Sequence, residues 1–192
     1  MGDHTIRALS ADTWDAFAAL VEKHNGVWGG CWDTWFHAED AGDGKKALGN
    51  PAFKRQMVDL GIAHAALVFE GEAAIGWCEY GTPAELPRIY HRKEWEAGTT
   101  DPPRYRLTCF FIDRDHRREG VAAEALAGAV DLIARAGGGA AEAYPHDLPP
   151  GKKVSSSFLY NGTRTLFERA GFEFQRPLGT SKCVMRRDIA AS

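Results

Sequence analysis

The chain has no C-x-x-C pair, no apolar run long enough to span a bilayer, and no excess of positive charge. Its four cysteines, Cys31, Cys78, Cys109 and Cys183, lie far apart. That spacing argues against a zinc ribbon or a dithiol redox motif, and buried free thiols in a reducing setting are expected. No stretch approaches the roughly 20 apolar residues of a membrane helix. The formal net charge is −3, so there is no global basic footprint for nucleic acid. The fingerprints G-x-G-x-x-G and G-x-x-x-x-G-K-[ST] are both missing, which removes the usual dinucleotide and P-loop readings. None of the histidines stands at metal-ligand spacing. Cys31 and His37 in "CWDTWFH" are two ligands at most, so no metal is expected. The opening "MGDHTIRALS" shows no basic-then-apolar signal pattern. A cytoplasmic protein is expected, with no nucleic-acid or membrane partner.

What is present is an ordinary globular balance, 44% hydrophobic and 26% charged over 192 residues. This suits one domain over 1–192. "HTIRAL" alternates as a short strand, and a helix is expected from Ser10, with Trp14, Phe17, Leu20 and Val21 on one side and Asn25-Gly26 closing it. A Trp- and Gly-dense loop with a short helix follows. Asn50-Pro51 opens another helix. "HAALVFEGEAAIGWCEYG" reads as a hairpin turning at Glu70-Gly71-Glu72. Residues 82–104, with four prolines and many charges, read as a surface excursion, and a lid there is left open. "YRLTCFFI" is the most strand-like run. A helix with Leu126, Ala129, Val130 and Ile133 inward comes next, then "GGG", then a strand "AAEAYP". "HDLPPGKKVSSS" reads as a loop, residues 161–170 as a helix, and the remainder as a closing pair of strands. The order βαα, hairpin, βαβαββ predicts an α/β (mixed α+β) fold, a mixed sheet with helices on its faces.

One stretch carries chemistry: "CFFIDRDHRREGVAAEAL". An apolar strand ends at Ile112, a charged turn follows, and a helix opens at Gly120. The first N–H groups of a helix have no partner within it and carry the positive end of its dipole. An anion finds donors there. Glycine removes the Cβ that would hold the anion off, Ala122 keeps the surface low, and Arg117 and Arg118 add charge. Glu119 is the awkward member, and its side chain is expected to turn to solvent while its N–H serves.

The spacing Arg117-x-x-Gly120-x-Ala122 after an apolar strand resembles the acyl-CoA signature of GNAT-type N-acetyltransferases. "NGTRTLFERAGFEF", "TIRALSADTWDAFAAL" and "ALVFEGEAAIGWCEYG" resemble further segments of that family, in the family's order. "GWCEYG", "TCFFIDRDHRREGVA" and "AEAYP" together resemble a bacterial subgroup of it, one whose substrate is unsettled. The resemblance spans most of the chain. It implies a mostly antiparallel sheet of 6–7 strands, splayed between two parallel strands at 105–112 and 140–145 and flanked by about four helices.

It further implies acetyl-CoA as co-substrate and a small-molecule amine as acceptor, attacked directly. A homodimer is left open. The family's cofactor contacts would fall on Phe110, Phe111 and Ile112 for the pantetheine arm. The N–H groups of Arg118, Glu119, Gly120, Val121 and Ala122, beside Arg117, would hold the pyrophosphate. Asn161 would touch the arm, or simply cap a helix. The position of the family's tyrosine acid is Phe167, which has no proton to give. Tyr160 and Tyr144 are the substitutes nearest in sequence. Glu79, Glu142 and His146 are candidate bases. The aromatic residues Trp28, Trp32, Trp35, Phe36 and Trp77 read as core or as an acceptor pocket. The other functional reading is a CoA-binding sensor or degenerate enzyme without turnover.

Overall fold

The computed structural model describes residues 4–149, 154–155 and 158–192. Part of the loop read at "HDLPPGKKVSSS" therefore lies outside the described residues. The elements in order are β1 (His4–Ala8), α1 (Trp14–Lys23), α2 (Lys45–Leu48), α3 (Asn50–Asp59), β2 (His64–Glu70), β3 (Ala73–Gly81), α4 (Arg92–Ala97), β4 (Tyr105–Ile112), a 3-10 turn (Arg114–His116), α5 (Val121–Arg135), β5 (Gly139–Ala143), α6 (Arg164–Arg169), β6 (Glu173–Leu178) and β7 (Lys182–Ile189). The strands form one seven-stranded sheet in the order β1-β2-β3-β4-β5-β7-β6. Every pairing is antiparallel except β4 with β5.

Alternation along β2 builds two cores. Ala65, Leu67 and Phe69 face α1 and α3, where Phe17, Val21, Phe53 and Met57 are buried. Ala66 and Val68 face α5, against Ala125, Leu126 and Ala129. This is the period-two consequence of the pleat. In β3 the alternation breaks, because Val68 pairs Gly76 while Phe69 pairs Ala74. Ile75 is the extra residue of this bulge, so Ile75 and Cys78, three apart, pack on the same side.

Three expectations need correction. The first helix begins at Trp14, not Ser10. The Thr13 hydroxyl accepts from the Ser10 N–H at 2.9 Å and donates to the Ala8 carbonyl at 2.9 Å, which ties residues 10–13 into a turn. The helix expected from Asn161 begins at Arg164, capped by Thr163, whose hydroxyl accepts from the Leu166 N–H at 3.3 Å. Residues 82–104 are not simply a surface excursion. Leu86 is fully buried, and α4 drives Trp95 inward, where its Nε1–H donates to Glu142 at 2.8 Å. Arg106 stacks on that indole at 4.6 Å and donates to the Leu86 carbonyl. The charges Arg92, Lys93, Glu94 and Glu96 do stay exposed.

Trp95→Phe tests how firmly this segment is held. It removes a donor from a buried carboxylate that Tyr144 and Arg186 then satisfy alone. A loss of about 1–3 kcal/mol is expected in denaturant unfolding. An unchanged midpoint would mean that the segment contributes nothing to folding.

Candidate functional site

Parallel strands stay together only while their slanted ladder continues. β4 and β5 pair over Tyr105–Leu107 and Ala141–Ala143 and then part. β4 runs on to Ile112, and beyond the ladder the Phe110 N–H donates to the Tyr160 carbonyl at 2.7 Å. At the same point β4 carries a bulge: Cys78 pairs Phe110 and Tyr80 pairs Leu107, so Thr108 and Cys109 stand opposite Glu79 alone. The parting opens a cavity of about 540 Å³. Phe110, Phe111, Ile112, Arg117 and Ala122 line it, together with His24, Trp28 and Leu166.

The turn at its mouth is pinned from within. Asp113 accepts from the Asp115 N–H at 3.1 Å and from Lys23 at 2.6 Å, with His24 Nε2 at 3.2 Å. Burial would raise this carboxyl, but the Lys23 and Asp115 hydrogen bonds hold it below its ordinary value. Gly120 then takes φ +94°, and α5 follows. A Cβ at Gly120 would meet nothing within 4 Å, so its position is empty space above the helix start. Among the described residues, no backbone acceptor faces the N–H groups from Arg118 to Ala122. Arg118 is itself left-handed, at φ +70°. Glu119 turns outward as expected, 55% exposed and 3.3 Å from His116. Val121 packs its side chain into the core, which leaves its N–H to the mouth. These groups suit an anionic ligand with an extended tail: free donors, an open approach at Gly120 and an apolar channel behind.

Other expected site residues lie elsewhere. Phe167 is fully buried against Phe110 and Phe172 and does not line the cavity, so a cofactor contact from it is corrected. Asn161 neither caps α6 nor lines the cavity. It is 3% exposed, donates to the Thr108 carbonyl at 2.5 Å, and accepts from Lys182 at 2.5 Å. Tyr144 cannot act as the acid. It packs with Trp95 and donates to Glu142 at 3.2 Å, away from either cavity described here. Glu142 is held by Trp95, Tyr144 and Arg186. His146 accepts from Lys182 at its Nε2, and burial together with that ammonium pushes it down to about 4. Lys182 is lowered by burial to about 8 and lies 5.2 Å from the rings of both Tyr90 and Tyr160.

Tyr160 lines a second cavity, of about 200 Å³, with Trp28, Cys31, Asp33, Trp35, Phe36, Tyr90 and Cys109. Burial and the neighbouring Tyr90 raise its phenol, so it holds its proton. Trp28 walls both cavities, and Cys109 and Phe110 are consecutive on β4. The two spaces therefore adjoin at the splay.

Beneath the second cavity lies a buried ionic cluster. Lys54 donates to the Asp33 carbonyl at 2.9 Å, to Asp33 Oδ2 at 3.1 Å and to Glu79 Oε1 at 3.1 Å. His37 Nε2 stands 3.2 Å from Glu79, while its Nδ1 faces the Glu85 carbonyl at 3.1 Å and so carries a hydrogen. Thr108 donates to Glu79 Oε2 at 2.7 Å. Lys54, Glu79 and Asp33 have no exposed side-chain surface. Burial alone would raise Glu79, but Lys54, His37 and Thr108 pull it down to about 2. A carboxylate held that firmly, with no surface, is unsuited to the role of base. Asp33 goes the other way: burial and the Glu79 charge lift it to about 7 against the pull of Lys54 and Cys109. Because its folded value is raised, this group favours the fold at low pH and ceases to do so as pH rises through about 4 to 7. Asp33→Asn is therefore expected to gain stability relative to wild type across that window. A pH-independent difference between the two would contradict the assignment.

Sequence reasoning missed Asp33, Lys54 and Cys109 as members of this region, while Tyr90 belongs to the segment 82–104 where a lid was left open. One signal was present: Lys54 shares the buried face of α3 with Met57 and Val58, at spacings of three and four.

No family model matches the chain, and no curated protein matches it. Solved structures do. A protein from Desulfovibrio desulfuricans assigned to the GNAT family of acetyltransferases superposes with a TM-score of 0.54 at 20% identity, covering 97% of this chain and 99% of that one. The histone acetyltransferase HPA2 and related acetyltransferase of Corynebacterium glutamicum gives 0.53 at 18%, covering 100% and 99%. The PaiA N-acetyltransferase of Thermoplasma acidophilum, solved with coenzyme A, gives 0.52 at 13%, covering 97% and 99%. With one mostly antiparallel seven-stranded sheet that splays at its single parallel pair, the chain has the GNAT fold.

Proposed function

We propose that the chain is an acyltransferase that moves an acetyl group from acetyl-CoA to a primary amine of a small molecule, in the cytoplasm. The observation that carries this reading is the splay itself. An apolar channel along Phe110–Ile112 leads to a helix start whose N–H groups are free, beside Arg117. That sequence of surfaces matches a pantetheine arm followed by a pyrophosphate. Acetyl-CoA supplies the acyl group as an activated thioester. The fold is shared with proteins named as acetyltransferases, one of them bound to coenzyme A.

The residues divide the work by position. Phe110, Phe111 and Ile112 of β4, beyond the ladder, would flank the arm along the channel. The α5 N-terminus supplies dipole and donors to the phosphates. Tyr160, which lines the second cavity beside Trp28, is the candidate donor of a proton to the leaving thiolate. The amine enters from the second cavity.

Thermal unfolding with acetyl-CoA, CoA, NAD and ATP tests this. Either CoA form at 100 times its dissociation constant should add roughly 2.7 kcal/mol, and NAD should add nothing. No shift with either CoA form would sink the proposal. Release of thiol on a panel of amines then separates an enzyme from a CoA-binding protein without turnover.

A further inference from the structure

The channel of about 540 Å³ is walled mainly by apolar side chains, Val27, Trp28, Phe110, Phe111, Ile112 and Leu166 among them. A pantetheine arm carries secondary amides along its length. An amide N–H drawn against such a wall costs free energy unless an acceptor meets it. Arginines cannot serve, since a guanidinium only donates. Three lining side chains can accept: His24, Thr163 and Thr165. Thr163 already accepts from the Leu166 N–H as the cap of α6, and Thr165 is exposed. His24 remains.

His24 follows the end of α1 and is half-sheltered, with 11% of its side chain exposed. Its ring meets Phe111 edge-on at 4.8 Å, and Phe111 meets Trp28 at 5.5 Å. The imidazole therefore stands beside the stretch of β4 that flanks the arm.

The ring is held in one orientation. Its Nε2 lies 3.2 Å from Asp113 Oδ1. Burial works against the charge on Asp113, but the Lys23 and Asp115 hydrogen bonds keep it. A nitrogen that faces a carboxylate carries the hydrogen, and the partner of one ring nitrogen sets the state of the other. In the neutral ring Nδ1 is then the acceptor. It makes no hydrogen bond among the described residues, and it is not one of the sealed, unpartnered polar atoms. An acceptor fixed from behind and left open is thus part of the channel wall.

We propose that His24 Nδ1 accepts a hydrogen bond from an amide N–H of the pantetheine arm, and that Asp113 is the positioning residue that keeps the ring hydrogen on Nε2. The inference deepens the acyltransferase reading and rests on it. It gives the α1 side of the splay a share in choosing the ligand: a tail with an amide donor is preferred to a purely apolar one.

Calorimetric titration of the full chain with CoA, at pH 8, tests this with three variants. His24→Phe keeps an aromatic ring against Phe111 and should weaken CoA about tenfold. His24→Asn places its amide near the former Nδ1 and should keep most of the affinity. His24→Gln reaches instead to the former Nε2, so it can still bond Asp113 but should lose affinity as the Phe variant does. A role confined to holding the turn would reverse the order of Asn and Gln, and that reversal would overturn the proposal. Thermal unfolding without ligand shows which variants fold, and the Asn and Gln pair suffices if Phe does not. ADP, which has a pyrophosphate and no arm, is the second probe, and His24→Phe should leave its binding unchanged. Equal weakening of ADP and CoA would also overturn the proposal, because His24 would then act on the phosphates. If CoA binds wild type and all three variants alike, this inference fails alone. If CoA does not bind wild type, the acyltransferase reading fails and takes this inference with it.

Discussion

Lys54→Met is expected to destabilise the protein by about 3–5 kcal/mol, the range for removing one partner of a buried ion pair. Methionine matches the lysine stem in length, so little packing is lost. What is lost is the ammonium that bridges Asp33 and Glu79, two carboxylates without exposed surface. A domain of ordinary stability has about 5–15 kcal/mol in total, so the variant should sit near the unfolding threshold. The loss should lessen as pH falls, because the orphaned carboxyls can then take protons. Adding Glu79→Gln should recover much of it, since removing both charges of a buried pair is often close to neutral. Urea unfolding of the single and double variants, at two pH values, reads all three effects. A single variant as stable as wild type would show that the cluster is not the electrostatic unit described here.

Gly120→Leu is expected to abolish the proposed stabilisation by acetyl-CoA, removing the whole increment of roughly 2.7 kcal/mol expected at 100 times the dissociation constant. Two causes act together. A left-handed backbone costs a residue with a Cβ about 1–2 kcal/mol, and φ at Gly120 is +94°. The side chain also enters the open space over the free N–H groups, where no protein atom lies within 4 Å of the Cβ position. Gly120→Asn separates the two, because asparagine tolerates positive φ yet still places a side chain there. It should fold nearly as well as wild type and still lose most of the ligand shift. Full retention of that shift in Gly120→Leu would place the anion seat elsewhere.

The two experiments address the two halves of the splay, and these halves differ in how they are built. The α5 side is local: strand, pinned turn, glycine and helix follow one another within residues 105–135. The Asp33 side is assembled from distant parts, the strained loop at 25–33, the face of α3, the β4 bulge, and Tyr90 and Tyr160 from two later segments. This accounts for what could be read beforehand. The hairpin at 64–81, the strand ending at Ile112, the helix opening after Gly120 and the closing strands all follow from periodicities and turn residues a few positions apart. So did the open helix start after Gly120, because N–H groups left free there need only that local order.

Elements with competing local bonds were read less well. Thr13 delayed the first helix, and Thr163 took the cap from Asn161. Phe167, next to cavity-lining Leu166, was turned into a core by α6, and Tyr144, just beyond β5, into another. Residues 82–104 looked solvated because charge dominates their composition, yet Leu86 and Trp95 bury and Tyr90 walls a cavity.

The sequence by itself determined the order of elements, the mixed sheet and the helix start after Gly120, since each depends on residues near one another in the chain. Only the tertiary structure decided that Lys54 meets Asp33 and Glu79, and that this buried cluster lies beside a small aromatic cavity. The physical reason is that charge balance and desolvation are properties of everything within a few ångströms, and no spacing along the chain encodes which distant residues those will be.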